Sequence, residues 1–398
     1  GAESATQASS ATLAMGFDAS DAPAIARAQE QLRADPDDLA AHVTLATAFL
    51  REARRSGDAA HRAYARDVVE AGLAKAPDAP RLRLLSVMLL LDAHRFEAVI
   101  DAGRALAAVM PHDPTPHLLV GDAATELGRY GDAEAAYEAA INLRPDLRSY
   151  NRVGYLRWLY GDFDGAVAAL ELALDSGSAR EPESMAWCFT DLGAMHLRRG
   201  NTTPALAAAE RALGLVPDYA PALTLRGRAL AKSGALDDAL AALSAAVDAQ
   251  PSAEGLLILA DVQRAAGQDA TPTVEQARRL ADHDPRPLAH YLARHGEASS
   301  RALSLAEREL AARKNIWAWD TLALAAARTG NHQRAREAMN AALALGTVDA
   351  ELTLHDAFVH AQAGELSEAR RSFDAAVALD ATVDPVLANA LRARLGAS

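Results

Sequence analysis

Small and apolar residues return along this chain at helical spacing, and the groups in which they occur are themselves repeated. In one copy, Ala133, Tyr137 and Ala140 lie three or four positions apart, as on one face of a helix. Gly121 lies midway through the preceding apolar segment, and Gly128 follows that segment. The pattern predicts two helices joined by a short turn.

Prolines mark the length of the repeat. They fall 34 residues apart in two series, Pro77, Pro111 and Pro145, then Pro217, Pro251 and Pro285. Proline disrupts a helix because it lacks an amide hydrogen and clashes with the preceding turn, so each proline is expected to follow a second helix. Since one such hairpin cannot bury its apolar face alone, the hairpins are expected to stack on their neighbours.

The pattern predicts an all-α fold, an α-α superhelix of about ten hairpins. Their approximate bounds are 39–77, 80–111, 114–145, 147–178, 186–217, 220–251, 253–285, 286–315, 316–347 and 350–381. An extra loop is expected around Arg54–Ala60, and the seventh and eighth copies are degenerate. A lone helix from Pro23 to Ala34 precedes the array, and Asp384–Leu395 is expected to cap it.

We expect four regions along the chain. Residues 1–20 read as a flexible segment, 23–178 as an N-terminal arm of four repeats, and 186–395 as a C-terminal arm of six repeats. The connection 175–185 is longer than usual, and it is interpreted either as a hinge between the arms or as a loop at the rim of a groove.

These positions resemble the tetratricopeptide repeat (TPR) family. The match is best in the third to sixth units and in the ninth, where Trp319, Leu322, Ala323 and Gly330 fall at the family's positions, and the resemblance covers about nine-tenths of the chain. The stretches SYNRVGYLRWLYGDFDGA and NIWAWDTLALAAARTG are similar to a group of such proteins from GC-rich bacteria, several of them exported. The resemblance implies a non-enzymatic scaffold for proteins or peptides and supplies no substrate.

Charge and composition exclude several classes of function. The formal net charge of −13 argues against non-specific binding of nucleic acid or anionic lipid. The single cysteine, Cys188, excludes an intrachain disulfide and a cysteine-based zinc site, and it is interpreted as a small buried thiol. No apolar run reaches the roughly 18 residues that a membrane span needs.

The small, polar residues after Gly1 indicate a trimmed chain, or a tether left by removal of a signal or lipoprotein anchor. Export in a bacterium is therefore slightly favoured over the cytoplasm.

Catalytic and metal motifs are not found in the sequence. No lysine follows a glycine, which excludes a phosphate-binding P-loop, and no GxGxxG, GxSxG or HExxH string occurs. Three histidine pairs have members five residues apart, His112/His117, His290/His295 and His355/His360. Five residues turn a helix by about 500°, so the two side chains of a helical pair point about 140° apart and are not expected to share a metal ion. No cofactor is expected.

A candidate binding site follows from the resemblance, because the first helix of each unit lines the concave face of the family's superhelix. Carried onto units four to seven, the inward positions place aromatic rings beside positive charge: Arg148, Asn151, Tyr155, Trp158, Trp187, Thr190, Arg198, Arg228, Lys232 and Arg264. Tyrosine, tryptophan and arginine often anchor interfaces, so we expect an extended peptide or a partner's tail with some negative charge.

Two alternatives to this site stay open. The patch suits a small anionic ligand of a regulatory or sensor module, or Trp158 and Trp187 simply fill the joint between neighbouring units. Helical-repeat recognition of RNA is disfavoured, because the chain is acidic and lacks a repeated pair of base-reading polar residues. The sequence does not indicate the oligomeric state.

Overall fold

The computed structural model describes residues 21–178, 180–282 and 284–396, and all regular structure in these ranges is α-helical. The helices are α1 (Ala22–Ala34), α2 (Leu39–Ser56), α3 (Ala59–Lys75), α4 (Pro80–Asp92), α5 (Phe96–Val109), α6 (Thr115–Glu126), α7 (Tyr130–Leu143), α8 (Leu147–Leu159), α9 (Phe163–Asp175), α10 (Pro182–Leu197), α11 (Thr202–Leu215), α12 (Ala220–Lys232), α13 (Leu236–Ala249), α14 (Ala253–Ala265), α15 (Thr271–Leu280), α16 (Arg286–His295), α17 (Ser299–Ala312), α18 (Ile316–Arg328), α19 (His332–Leu343), α20 (Ala350–Gln362), α21 (Leu366–Leu379) and α22 (Pro385–Leu395). Helices α2 to α21 form ten consecutive hairpins, with α1 before them and α22 after them, so the predicted all-α fold is confirmed.

The helical periodicity of the sequence corresponds to buried positions. The repeated second-helix residues are at most 4% exposed in six of the hairpins: Ala133, Tyr137, Ala140; Ala166, Leu170, Ala173; Ala205, Ala209, Ala212; Ala239, Leu243, Ala246; Ala335, Met339, Ala342; Ala369, Phe373, Ala376. Alanine at these sites lets helices approach closely, and in five of these six hairpins a larger residue between two alanines fills the joint.

Glycines serve two purposes in the hairpins. A Cβ on Gly227 in α12 would lie 2.5 Å from Cγ of Leu243 in α13, so the two helices pack at a distance that excludes a side chain there. Gly128 and Gly161, which follow first helices, have φ of 69° and 79°, the left-handed conformation that ends a helix at low cost for glycine.

The first hairpin differs from the sequence prediction. The expected loop around Arg54–Ala60 is wrong, because α2 continues to Ser56 and α3 begins at Ala59. Gly57 ends α2 with φ of 71°, and the Asp58 side chain accepts a hydrogen bond from the amide of Ala60. The extra residues therefore lengthen the helices.

The chain divides into two compact units. Of the described residues, the N-terminal unit comprises those up to Ala124 together with Gly131–Leu143, and the C-terminal unit comprises Thr125–Tyr130 together with those from Arg144 onward. These limits differ from the arms 23–178 and 186–395, and the hinge at 175–185 stays a prediction. The predicted flexible segment 1–20, with its possible tether, lies outside the described residues.

In the C-terminal unit, early helices meet late ones. The amide of Lys314 donates a hydrogen bond to the carbonyl of Glu126 at 2.8 Å. The amide of Ile316 donates to the Tyr130 hydroxyl at 2.9 Å, and the Thr347 hydroxyl donates to the carbonyl of Leu159. Helix α8 and its neighbours are thus covered by residues that lie about 190 positions later, on and next to α18 and α20.

Candidate functional site

A cavity of about 780 Å³ lies in the C-terminal unit, on the side formed by first helices. Helices α12, α14, α16, α18 and α20 contribute to its wall, together with α22 and the segment just before it. Apolar side chains form part of the surface: Leu236, Leu257, Ile258, Val262, Tyr291, Trp317, Leu352, Val383 and Val386.

Charged side chains form the rest of the cavity wall. Seven are basic, namely Arg198, Arg228, Lys232, Arg264, Arg286, Arg294 and Arg392, and five are acidic, namely Glu254, Asp261, Asp320, Glu351 and Asp384. The wall therefore has an excess of positive charge, although the whole chain carries −13.

Four of the predicted site residues, all of them basic, are brought together in this wall. Arg198 donates to the buried Asp349 at 2.9 Å, and Lys232 pairs with Asp380. Arg264 donates to Glu297 at 3.0 Å and lies over the Tyr291 ring. Arg228 has the loosest of these pairs, because its Nη2 is 3.5 Å from Oε1 of Glu351.

Glu351 lies between the two arginines that are nearest the centre of this arrangement. Burial alone would raise the pKa of its carboxyl, but the guanidinium groups of Arg228 and Arg198 together lower that pKa below its ordinary value. Glu351 is therefore held as a carboxylate, and it partly neutralises the basic wall.

Two of the predicted aromatic residues, Tyr155 and Trp158, are packed against Trp317, which itself lines the cavity. Trp158 is 4% exposed, and its ring stacks on Trp317 with centroids 5.5 Å apart. The Tyr155 hydroxyl accepts a hydrogen bond from Nε1 of Trp317 at 3.0 Å, and burial raises the pKa of Tyr155 to about 12. The contact partner is a residue of a distant hairpin of the same chain.

The remaining predicted residues do not line the cavity. Asn151 is buried and its amide donates to Asp191 at 3.0 Å, while the Thr190 hydroxyl donates to the carbonyl of Ala186. Arg148 pairs with Asp146, and the half-buried Trp187 lies under the guanidinium of Arg152 at 5.4 Å. These contacts place the four side chains outside the basic wall.

Cys188 is fully buried, as the sequence indicated. Its Sγ lies 3.6 Å from the carbonyl oxygen of Leu170, and burial raises the pKa of the thiol to about 12. A thiol with so high a pKa is rarely the nucleophilic thiolate.

Most of the cavity wall comes from residues that the sequence prediction left out. The second and fifth residues of units eight to ten are inward positions of the family as well. They are Pro287, His290, Trp317, Asp320, Glu351 and Leu354, and all of them except the fully buried Leu354 line the cavity. The signal was therefore present in the sequence, and the restriction of the candidate site to units four to seven missed it.

In the part of the chain that the structure describes, no helix has the length and hydropathy needed to cross a membrane.

Comparison with known proteins places the repeat in a family. A family model described as tetratricopeptide repeat matches residues 118–181, 190–254 and 321–384, which correspond to units three and four, five and six, and nine and ten. No curated protein sequence matches the chain.

Solved structures resemble parts of the chain. The TPR protein TTC0263 of Thermus thermophilus is 21% identical, with 43% of this chain and 90% of that chain covered and a TM-score of 0.38. PilF of Pseudomonas aeruginosa is 16% identical, with 52% and 93% covered and a TM-score of 0.41. YrrB, a TPR protein with an unusual peptide-binding site, is 20% identical, with 47% and 94% covered and a TM-score of 0.32. Likenesses of this size carry no argument about function.

The family assignment agrees with the hairpins themselves. The three matched segments contain six of the ten hairpins, and the remaining hairpins continue the same alternation of first and second helices. The chain is a member of the tetratricopeptide repeat family.

Proposed function

We propose that this chain is a non-enzymatic scaffold that binds a short segment of another protein in the cavity of the C-terminal unit. Proteins of this family generally serve as non-catalytic interaction scaffolds. The observation that carries the proposal is the cavity of about 780 Å³, whose wall comes from five successive first helices. In repeat proteins such surfaces are the usual binding surfaces.

The lining favours a segment with both apolar and acidic side chains. Leu257, Ile258 and Val262 offer an apolar wall on α14, and Trp317 adds an aromatic ring. An acidic side chain of the partner would pair with Arg228, whose contact with Glu351 at 3.5 Å is longer than a good ion pair. The bound segment would thereby be fixed by one charge contact and by apolar burial.

Selection from a random peptide library displayed on phage tests the proposal. We expect the selected peptides to be enriched in acidic and apolar residues, and Arg228→Glu to weaken their binding by about tenfold or more, since like charges would then face each other. Arg226→Glu is the matched control, because Arg226 lies on the same helix and pairs with Glu210 outside the cavity.

Two results would contradict the proposal. One is a failure to select any peptide that binds the wild-type chain. The other is equal loss of binding in Arg226→Glu and Arg228→Glu, which would place the peptide elsewhere on the surface or show a general effect of charge.

A small anionic ligand is the second candidate. The cavity volume lies in the range of about 300–1,000 Å³ that is common for small-molecule sites, and basic side chains outnumber acidic ones in its wall. A ligand of this kind would raise the melting temperature in a screen of anionic metabolites, because it binds only the folded chain. Arg228→Glu would abolish that rise. With the wild-type chain, the metabolite would displace the selected peptides.

A further inference from the structure

Two histidines and an aspartate from three successive first helices converge at the cavity wall. His290 lies on α16, Asp320 on α18 and His355 on α20. One ligand atom from each of the three side chains can be chosen so that all lie within 4.8 Å of one another. All three residues also line the cavity.

His355 is not a core histidine with both nitrogens satisfied. The residue is 2% exposed, and its Nδ1 lies 2.8 and 2.9 Å from the two carboxylate oxygens of Asp320. Its other nitrogen, Nε2, is buried and has no hydrogen-bond partner among the described residues. A buried polar atom without a partner is costly in a native protein and calls for an explanation, such as a bound ion.

His290 places a second imidazole beside that of His355. Its ring centroid lies 5.3 Å from that of His355, with the rings tilted by 60° to each other. Two imidazoles held this close repel each other when both are protonated, and they are compatible as neutral ligands.

The charges around the pair favour a cation. Asp320 contacts His355 directly, and Glu351 and Asp384 act on His355 electrostatically. The positive charge of Arg294 opposes a cation there, but it is neutralised by Asp261 at 2.8 Å and Asp384 at 2.7 Å. The carboxylate of Asp320, which contacts His355, is therefore the negative charge that directly favours a cation beside the two imidazoles.

We propose that His290, Asp320 and His355 bind one divalent transition-metal ion, such as Zn²⁺. Two imidazoles and one carboxylate are a common ligand set for such ions. Bonds of about 2.0–2.2 Å place ligand atoms roughly 3 to 3.5 Å apart. Because Asp320 now contacts Nδ1 of His355, binding through the unpartnered Nε2 requires the imidazole or the carboxylate to turn until both face the same ion. Three protein ligands leave a coordination position that water fills or that a group in the cavity can take.

This arrangement explains why the histidine pairs of the sequence did not indicate a site. His290 and His295, like His355 and His360, diverge along their own helices, and His295 instead contacts Asp261 at 2.7 Å. The ligands meet because each comes from a different first helix. The metal site is independent of the proposed peptide function, and each can fail alone.

Calorimetric titration of the metal-free full chain with Zn²⁺ tests the site, and titration with Co²⁺ gives a visible absorption spectrum of the same ligands. We expect one ion per chain and a Co²⁺ spectrum typical of a low coordination number with nitrogen and oxygen ligands. His290→Ala, which removes a partly exposed side chain, should weaken binding by about tenfold or more, and so should Asp320→Asn.

His360→Ala is the matched control, because His360 lies between Asp356 and Glu365 and could capture an ion at the surface. It should leave the affinity and the Co²⁺ spectrum unchanged. Melting curves in EDTA check that each variant is folded. The proposal is overturned if no stoichiometric binding occurs, or if a folded His290→Ala chain binds Zn²⁺ and Co²⁺ as the wild type does.

Discussion

Trp158 and Trp317 stack on each other although 159 positions separate them in the sequence, with ring centroids 5.5 Å apart and ring planes inclined by 19°. The guanidinium of Arg198 lies over both rings, 4.5 Å from the centroid of Trp317 and 5.5 Å from that of Trp158. The cluster joins the fourth and ninth hairpins of the described chain, both of which belong to the C-terminal unit. We infer that it stabilises the wall around the cavity.

The first prediction concerns the stability that this cluster provides. Trp158→Ala should lower the free energy of unfolding by about 3–5 kcal/mol, because it removes a large buried side chain and leaves a cavity against Trp317. Denaturant unfolding followed by circular dichroism measures the change. Trp187→Ala is the control, since Trp187 is half-buried and contacts Arg152, and its effect should be clearly smaller. A Trp158→Ala chain as stable as the wild type would contradict the packing role.

The second prediction concerns the close approach of first and second helices. Gly227→Ala places a methyl group 2.5 Å from Cγ of the fully buried Leu243, so it should destabilise the chain by about 1–3 kcal/mol. Gly214→Ala is the matched control, because a Cβ there meets no atom within 4 Å. It should be neutral or stabilise helix α11 by about 0.5 kcal/mol. Thermal melting of the two variants under one buffer condition measures both effects, and equal destabilisation would contradict the explanation.

The sequence predicted local structure better than it predicted the site. Glycines and prolines at 34-residue spacing determine where each hairpin begins and ends, because their effects depend only on the neighbouring turn of backbone. Tyr155 was predicted to face a groove, whereas its hydroxyl contacts Trp317. Such a contact depends on the small rotations between successive hairpins, which add up over five hairpins. No residue near Tyr155 determines their total.

Charge partners were hidden for the same reason. Lys232 is an inward-facing cation in the sequence, but its carboxylate partner is Asp380, which lies 148 positions later. The basic wall could therefore be predicted as a set of residues, while the ion pairs that partly neutralise it could not. His290 and His355 are a further example. Neither indicates a binding site on its own helix, and the two rings meet only in the folded chain.

The third prediction concerns pH. Burial raises the pKa of Asp191 to about 6 from the ordinary value of 3.8, although the hydrogen bond from Asn151 opposes the shift. The folded chain therefore holds this proton more tightly than the unfolded chain does. The stabilisation that the protonated carboxyl provides is complete below about pH 4, and it is lost as the pH rises through about 6.

Comparison of the wild type with Asp191→Asn isolates this effect, because asparagine keeps an oxygen that can accept from Asn151. The variant should gain stability over the wild type as the pH rises from 4 to 7, by on the order of 2–3 kcal/mol. Melting temperatures of the two chains across this range measure the difference. A difference that stays constant with pH would show that Asp191 has the same pKa in both states.

The fourth prediction concerns the attachment of the terminal helix. Arg294 on α16 donates two hydrogen bonds to Asp384, at 2.7 and 2.8 Å, and a third to Asp261 at 2.8 Å. Asp384 is 6% exposed, and one of its oxygens also accepts from the amide of Val386 at the start of α22. Arg294→Met should cost about 3–5 kcal/mol, because it leaves the buried Asp384 carboxylate without its cation.

The double variant Arg294→Met with Asp384→Asn distinguishes this cause from a loss of packing. Asparagine still caps α22 but carries no charge, so the double variant should recover part of the stability that Arg294→Met loses. Urea unfolding of the wild type, both single variants and the double variant gives the coupling between the two side chains. If the two losses simply add, the ion pair does not stabilise the packing of α22 against α16. The hydrogen bond from the Val386 amide must then offset the cost of burying the Asp384 carboxylate by itself.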